Sequence, residues 1–194
     1  MKDVSYIENI VERGKLAGEK VKTEFGALSP EQLNWKPAPE SWSVGQCLDH
    51  LIVADCLYFP SLKKITEGNY SMTGWQRWSP FSSLFGKILV NQLQEKAKSK
   101  VKTAKIFYPT TSQINADIFD RFHKHLDTLL EYTYACKEVD LDKTYISSPV
   151  SKFITYSLRN AITILIQHEH RHINQALRVK GQKEFPFGVM SYDL

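Results

Sequence analysis

Long apolar runs are missing from this 194-residue chain, although 42% of its residues are hydrophobic. No run approaches the roughly 18 residues that a membrane-spanning helix needs. The N-terminal stretch MKDVSYIENIVERG carries charges where a secretory signal would have its apolar region. We therefore expect a cytoplasmic protein with no membrane partner.

Cysteine is scarce, and the three present are odd in number and contain no Cys-x-x-Cys pair; they are Cys47, Cys56 and Cys136. This pattern indicates neither a disulfide framework nor a thiolate zinc site. We expect all three cysteines to be small buried hydrophobic residues. Cys47 could also lie near a site built around His50, one turn later on the same helix face, but core packing is the favoured interpretation.

The chain has no strong excess of charge of either sign, with a net charge of only +4. Five lysines cluster between Lys96 and Lys105, but no aromatic residue or arginine is interleaved with them. Nucleic-acid interfaces usually combine basic residues in that way. We therefore expect a solvated face there and no nucleic-acid partner.

What the chain does have is a histidine pair in ITILIQHEHRHINQ, where His168 and His172 are spaced i, i+4. On a helix this spacing places both imidazoles on one face, where they can ligate one metal ion. Leu165 and Ala176 continue the same face, so we expect the pair to face the core. The pair represents either metal ligands or hydrogen-bonded core histidines, and a third ligand would favour the metal. His170 is predicted to point toward solvent.

A third histidine, His50, ends the segment WSVGQCLDH. Ser43 and Gln46 have the spacing of a capping box, which predicts a helix over residues 44 to about 67. Apolar residues at steps of three and four place His50 on the inward face of this helix. His50 is therefore the candidate third ligand. Pro60, inside the same pattern, predicts a kink or an early end.

Other polar residues near these histidines have open roles. Asp49 and Glu169 lie about 100° from the ligand faces of their helices, so each is a candidate base, a partner of a ligand, or a surface charge, and the surface charge is favoured. Asp55 either orients a ligand histidine or caps the surface edge of its helix. His125 adjoins the apolar stripe of another predicted helix, and we expect no site role for it.

Periodic apolar residues predict four long helices over residues 4–25, 44–67, 112–133 and 153–180. Residues 70–111 predict a loop, a short amphipathic helix and a lysine-rich connection, and residues 137–152 predict a further connection. No segment has a convincing strand pattern. We therefore predict an all-α four-helix bundle, formed by a single domain over residues 1–194.

The segments WSVGQCLDHL and HEHRHINQ together resemble the DinB-like superfamily, which includes YfiT-type metal-dependent hydrolases and bacillithiol transferases. The resemblance covers the whole chain in order, and it implies an up-down-down-up four-helix bundle. It also implies that His50, His168 and His172 bind a divalent ion, with nickel or zinc as the leading candidates. The chain departs from the family pattern at Asn174, before Gln175, and in a long insertion over residues 75–105.

Three imidazoles leave a coordination position open, as in catalytic sites. The resemblance therefore implies a metal-dependent hydrolase or thiol S-transferase that acts on a small electrophilic molecule, with a low-molecular-weight thiol as a candidate substrate. The alternative is a non-catalytic metal-binding or stress-response bundle, in which the ion only ties two helices together. A homodimer is one arrangement that the resemblance implies. The sequence identifies no general base.

Overall fold

The computed structural model describes residues 2–93 and 103–187. In that part of the chain, the elements in order are α1 (Val4–Phe25), α2 (Pro30–Asn34), α3 (Val44–Cys56), α4 (Phe59–Thr66), α5 (Gly74–Trp78), α6 (Ser82–Leu93), α7 (Ile118–Ala135), β1 (Tyr145–Ser148), β2 (Ser151–Ser157) and α8 (Leu158–Lys180). Single turns of 3₁₀ helix cover Lys105–Phe107 and Cys136–Glu138. Within these ranges, no helix has both the length and the apolarity needed to cross a membrane.

Four helices form the core, because α1 and α3 each pack against both α7 and α8. The buried residues of α1 and α7 recur at steps of three and four, so each of these helices buries one apolar stripe, whereas α3 and α8 are buried over more of their circumference. The predicted all-α bundle is confirmed at this level. The up-down-down-up order of helix directions stays a prediction.

Three helices begin with the same local device, a capping box in which a Ser or Thr side chain and a Gln side chain three residues later each bond the other's backbone. The pairs are Ser29 with Gln32, Ser43 with Gln46, and Thr73 with Gln76. The predicted start of the second long helix at Val44 is therefore confirmed. Each box satisfies backbone N–H groups that the first helical turn leaves without partners.

The second long helix is divided in two. Helix α3 ends at Cys56, and α4 starts at Phe59 with Pro60 in its first turn. Proline is tolerated there because the first turn has no intrahelical partner for its missing N–H. The predicted interruption at Pro60 is confirmed, and the helix that began at Val44 does not continue to residue 67.

The third long helix starts later than predicted, at Ile118 instead of near Ser112. Before it, the backbone of Ile114 is held by Asn34, which accepts a hydrogen bond from the Ile114 N–H at 2.7 Å and donates one to its carbonyl at 2.9 Å. A side chain from α2 therefore takes the backbone groups that a helix starting at Ser112 would have used.

An antiparallel hairpin replaces the connection predicted over residues 137–152, and the expectation of no strand was wrong. Strands β1 and β2 pair with Ile146 opposite Tyr156, and both side chains are fully buried. Helix α8 begins at Leu158, directly after β2, with Ser157 as its N-cap. The fourth helix is therefore shorter at its start than the predicted 153–180.

The insertion is fastened to this hairpin and to α8. Ser82 and Thr155 share a buried hydroxyl hydrogen bond of 2.6 Å, and the Trp75 indole donates to the Phe153 carbonyl at 2.9 Å. The predicted amphipathic helix in this region is confirmed as α6. Most of the lysine cluster lies outside the described residues, so the solvated face remains a prediction.

Candidate metal centre

The structure brings the three predicted ligands together. His50 comes from α3, whereas His168 and His172 lie one turn apart on α8, which packs against α3. The three ring centroids are 4.3 to 4.8 Å apart, and one ring nitrogen from each residue lies within 4.8 Å of the others. Helix packing therefore converts residues 118 positions apart in sequence into neighbours.

The tautomer of His50 is fixed by its surroundings. Its Nδ1 hydrogen-bonds the backbone carbonyl of Phe107. Because a carbonyl can only accept, Nδ1 carries the hydrogen and Nε2 has a free lone pair. That Nε2 lies 3.0 Å from the Nε2 of His168.

His168 is oriented from behind by a buried acid. Its Nδ1 lies 3.8 Å from Asp55 Oδ1, which is too long for a hydrogen bond but favours a hydrogen on Nδ1 electrostatically. In that tautomer the two Nε2 atoms, 3.0 Å apart, would both present lone pairs and would repel unless a cation lay between them. In the other tautomer, His168 Nε2 donates to His50 Nε2. In a tetrahedral shell with bonds of roughly 2.0 Å, neighbouring ligand atoms are about 3.3 Å apart. The spacing of the two imidazoles therefore fits a metal-binding pair.

His172 completes the cluster beneath the indole ring of Trp42. The Nδ1 atom of His172 is buried and has no hydrogen-bond partner. The Trp42 ring lies 5.7 Å from the His172 ring and 4.7 Å from the His50 ring, centroid to centroid. The orphaned nitrogen is a second sign that the donor set fits an ion.

Burial favours the neutral imidazoles that metal binding requires. Desolvation, and then the nearby His168, lower the pKa of His50 from 6.5 to about 4. The pKa of His172 is also lowered, well below 6.5, first by burial and then by His168 and His50. A metal ion therefore does not have to displace protons from these two rings at neutral pH.

An open cavity of about 1120 Å³ reaches the cluster. All three histidines line it, together with Trp42 and Gln175. The insertion contributes Leu89 and Gln92, so α6 forms part of the wall, as expected for a segment that could cover or reshape the site. Arg171 and Arg178 add positive charge to the same cavity.

Comparison with known proteins identifies the family. The sequence model of the DinB superfamily matches residues 16–176. The chain belongs to the DinB superfamily. It is similar to the "Uncharacterized protein YuaE" of Bacillus subtilis (strain 168), with 27% identity over 165 residues that cover 83% of this chain and 91% of that protein. No solved structure gave a significant match.

This DinB-superfamily protein also contains a second polar cluster behind the first, formed by Asp55, His125 and Glu169. Asp55 accepts a hydrogen bond from His125 Nε2 to Oδ2 at 3.3 Å, while its Oδ1 faces His168. Burial raises the pKa of Asp55, but hydrogen bonding to His125 and the nearby His168 outweigh it and hold the pKa below its ordinary value. Burial, and then the charge of Asp55, raise the pKa of Glu169 well above 4.5.

The acidic residues of this DinB-superfamily chain are not the surface charges that the sequence favoured. Asp49, Asp55 and Glu169 are each 0% exposed. Asp49 accepts hydrogen bonds from the backbone and hydroxyl groups of Thr110 and from Arg121. Asp55 takes the orienting role that was one of its two alternatives. None of the three faces the Nε2 atoms of the histidine cluster as a committed base.

Sequence reasoning missed two contributors in this DinB-superfamily site. His125 was expected to have no site role, yet it contacts Asp55. Phe107 supplies the carbonyl that orients His50, but a backbone contact leaves no signal in the sequence. Cys47 is a core residue as expected, and burial raises the pKa of its thiol to about 12. Cys56 is exposed, so the prediction that all three cysteines are buried was wrong for it.

Proposed function

We propose that this DinB-superfamily protein is a metal-dependent thiol S-transferase that joins a low-molecular-weight thiol to a small electrophile. One observation carries the proposal. The Nε2 atoms of His50 and His168 face each other at 3.0 Å, with His172 beside them, on the wall of an open cavity. This donor arrangement suits a catalytic ion with an open coordination position.

The donor set limits the choice of ion. Three imidazoles suit zinc and nickel better than calcium or magnesium, which prefer oxygen ligands. A divalent ion held by His50, His168 and His172 would supply Lewis acidity, which lowers the pKa of a coordinated thiol or water molecule. We propose zinc or nickel as the resident ion.

The surroundings of the site favour a thiol over water as the nucleophile. Attack by water is helped by a general base within hydrogen-bond reach of the water. Asp55 borders the cavity, but its Oδ1 faces His168 Nδ1 and its Oδ2 faces His125, so neither oxygen is placed beside the Nε2 that faces His50. A thiol requires less assistance, because its pKa is already close to neutral and its thiolate is a strong nucleophile.

Beside the carboxyl groups of Glu40 and Asp55, the cavity has two basic residues that can pair with an anionic thiol. Arg171 and Arg178 both line it, and the guanidinium group of Arg171 is held in place by a hydrogen bond of 2.7 Å to the Gln92 carbonyl. Guanidinium groups pair well with carboxylates. We propose that the thiol substrate carries one or more carboxylates.

The test uses purified, untagged protein reconstituted with zinc or nickel. A carboxylate-bearing thiol such as glutathione, cysteine or bacillithiol is mixed with 1-chloro-2,4-dinitrobenzene. The sulfur forms a bond to the ring carbon, chloride leaves with the bonding electron pair, and the thiol proton passes to solvent. Absorbance of the thioether reports the rate. We expect turnover above the uncatalysed rate for wild type and its loss in His172→Ala, together with the loss of bound metal.

The matched control is His123→Ala, which removes an imidazole outside both polar clusters and should retain metal and activity. Metal-loaded protein that hydrolyses p-nitrophenyl acetate but transfers no thiol would replace this proposal with a hydrolase. Stoichiometric metal without either activity would favour the alternative function, a non-catalytic metal-binding bundle. Absence of metal from wild type after reconstitution would overturn the metal site itself.

A further inference from the structure

We propose that Asp55, His125 and Glu169 form a second divalent-cation site, separate from the three-histidine cluster and adjacent to it. The three residues come from three different core helices, α3, α7 and α8. One potential ligand atom from each lies within 4.8 Å of the other two. The packing of the bundle itself therefore gathers this donor set, independently of the proposed enzymatic function.

Unsatisfied oxygens are the observation that points to a ligand. Asp55 Oδ1 and both carboxylate oxygens of Glu169 are buried, and no N–H or hydroxyl group donates to them. The two carboxyl groups can bond each other only if one of them holds a proton. Asp55 and Glu169 are both 0% exposed, and buried acceptors without a donor normally cost stability. A divalent cation would satisfy all three oxygens at once.

The charge of the cluster leads to the same conclusion. Two carboxylates lie together in the interior, and in the described part of the chain neither forms an ion pair with lysine or arginine. Asp55 contacts the imidazoles of His125 and His168, and Glu169 lies against Asp55. Two charged carboxylates in a poorly solvated interior repel strongly, so the pair must share either a proton or a cation, and a divalent cation would let both groups remain charged.

His125 is held in a position suitable for a ligand. The Phe59 ring stacks on it at 5.2 Å with an interplanar angle of 21°. Its Nδ1 lies 3.7 Å from Cys56 Sγ, which can accept the Nδ1 hydrogen. Without an ion, Nε2 donates to Asp55 Oδ2 at 3.3 Å, and moving that hydrogen to Nδ1 would free the Nε2 lone pair. An ion at the cluster would therefore need only this change of tautomer to gain an imidazole ligand beside the two carboxylates.

The donor set differs in chemistry from the three-histidine cluster. Two carboxylates and one imidazole are harder ligands than three imidazoles, and such mixed sites suit manganese, iron or zinc. Manganese(II) is a suitable probe because it prefers oxygen-rich sites and is detected directly by electron paramagnetic resonance. Because both carboxylates are 0% exposed, the ion is best supplied while the chain folds.

The experiment begins with a His50→Gln/His172→Ala double variant, which removes two of the three donors from the other cluster. The full chain is unfolded in guanidinium with a chelator, refolded with manganese(II) chloride, and desalted. We expect about one manganese ion per chain by elemental analysis, with a resonance spectrum distinct from that of aqueous manganese. Adding Glu169→Gln should lower the affinity roughly tenfold or more, since it removes a ligand charge but little volume.

Controls separate loss of a ligand from loss of the fold. Glu12→Gln, made in the same double variant, removes an exposed carboxylate on α1 and should leave manganese binding unchanged. Circular dichroism establishes that each variant is helical, and Asp55→Asn provides a second isosteric test if Glu169→Gln does not refold. A folded double variant without manganese, or binding that Glu169→Gln and Asp55→Asn leave unchanged, overturns the second site.

The same measurement in wild type distinguishes this proposal from the proposed function. About two ions per chain, one lost in His172→Ala and the other in Glu169→Gln, would support both sites. A single ion lost only in Glu169→Gln would support the second site and remove the basis for the transferase. A single ion lost only in His172→Ala would do the reverse.

Discussion

The two polar clusters differ in their access to solvent and in the direction in which burial shifts the pKa values of their residues. The histidine cluster opens to a cavity, whereas the sealed cluster of Asp55, His125 and Glu169 borders that cavity only through Asp55, and both of its carboxylates are 0% exposed. Burial lowers the pKa of His50 but raises the pKa of Glu169, because desolvation always penalises the charged form. Without an ion, the first cluster therefore favours folding at higher pH and the second favours it at lower pH.

The largest expected effect concerns the open cluster in acid. The unfolded chain protonates His50 near its ordinary pKa of 6.5, whereas the folded protein does so only near 4. As pH falls from 6.5 to 4, this residue should therefore remove about 3 kcal/mol from the free energy of unfolding. His50→Gln should lose correspondingly less over that range. Urea unfolding followed by circular dichroism, with a chelator present, measures the difference.

His123→Gln is the matched control, because it removes an imidazole outside both clusters. Its stability should fall with acid as steeply as that of wild type. An equal acid slope in His50→Gln and wild type would mean that the open cluster is not what makes the fold acid-sensitive.

The sealed cluster should behave in the opposite way. Glu169 has a folded pKa well above 4.5, so the unfolded chain releases its proton first and the folded state loses stability as pH rises above 4.5. Glu169→Gln carries no ionisable group and should stabilise the metal-free protein at neutral pH by on the order of 2 kcal/mol. The gain should vanish at pH 4.5 and below. Chemical unfolding of both proteins at the two pH values provides the test, and a gain that is independent of pH would contradict it.

A smaller effect should follow from moving the wall of the open cavity. A Cβ added at Gly86 would overlap the side-chain amide of Asn160 and would lie 3.2 Å from the Tyr156 Cβ. Gly86→Ala should therefore push α6 away from α8 and cost about 1 kcal/mol of unfolding free energy. It should weaken metal binding at the histidine cluster, where α6 lines the cavity, and leave manganese binding at the sealed cluster unchanged.

Gly74→Ala is the control for this change, because a Cβ at residue 74 meets nothing within 4 Å. Thermal unfolding and metal titration of both variants separate the two positions. Equal effects on the two metal sites would mean that α6 does not act on the open cavity alone.

The smallest effect is expected at the edge of the sealed cluster. Cys56 is exposed and touches His125 only through a 3.7 Å contact, so Cys56→Ala should change stability by less than about 0.5 kcal/mol. Cys47→Ala should cost more, since the thiol of Cys47 is fully buried in the core. Denaturant unfolding of the two variants measures the contrast, and a larger loss at Cys56 would show that its thiol holds His125 in place.

Much of the bundle could be predicted because it depends on short-range periodicity. One or two helical turns of sequence are enough to recognise the spacing of His168 and His172, the inward face of His50 and the Ser43 capping box. The sequence placed Glu169 about 100° from the ligand face of α8, but it did not predict the burial of that residue. Helix α8 packs against α1, α3 and α6, so much more of its circumference is covered than one apolar stripe indicates.

What could not be predicted depends on residues far apart in sequence. The hydrogen bond between Asp55 and His125 joins positions 70 residues apart, and the carbonyl of Phe107 reaches His50 across 57 residues. Asp49 is buried because Thr110 and Arg121 lie over it. In each case, the role of a polar residue on a helix can be assigned only once its tertiary partner is known.

The three capping boxes have a consequence for how the chain would come apart in acid. Each box uses Gln at its third helical position, at Gln32, Gln46 and Gln76. An amide keeps its hydrogen bonds at any pH, whereas Glu in the same place would be protonated in acid and lose part of its bond strength. The capping hydrogen bonds at the starts of α2, α3 and α5 are therefore independent of pH, whereas the interior histidines become protonated in acid. Acid should loosen side-chain packing before it melts these helices, which is the order of events that produces a compact helical intermediate.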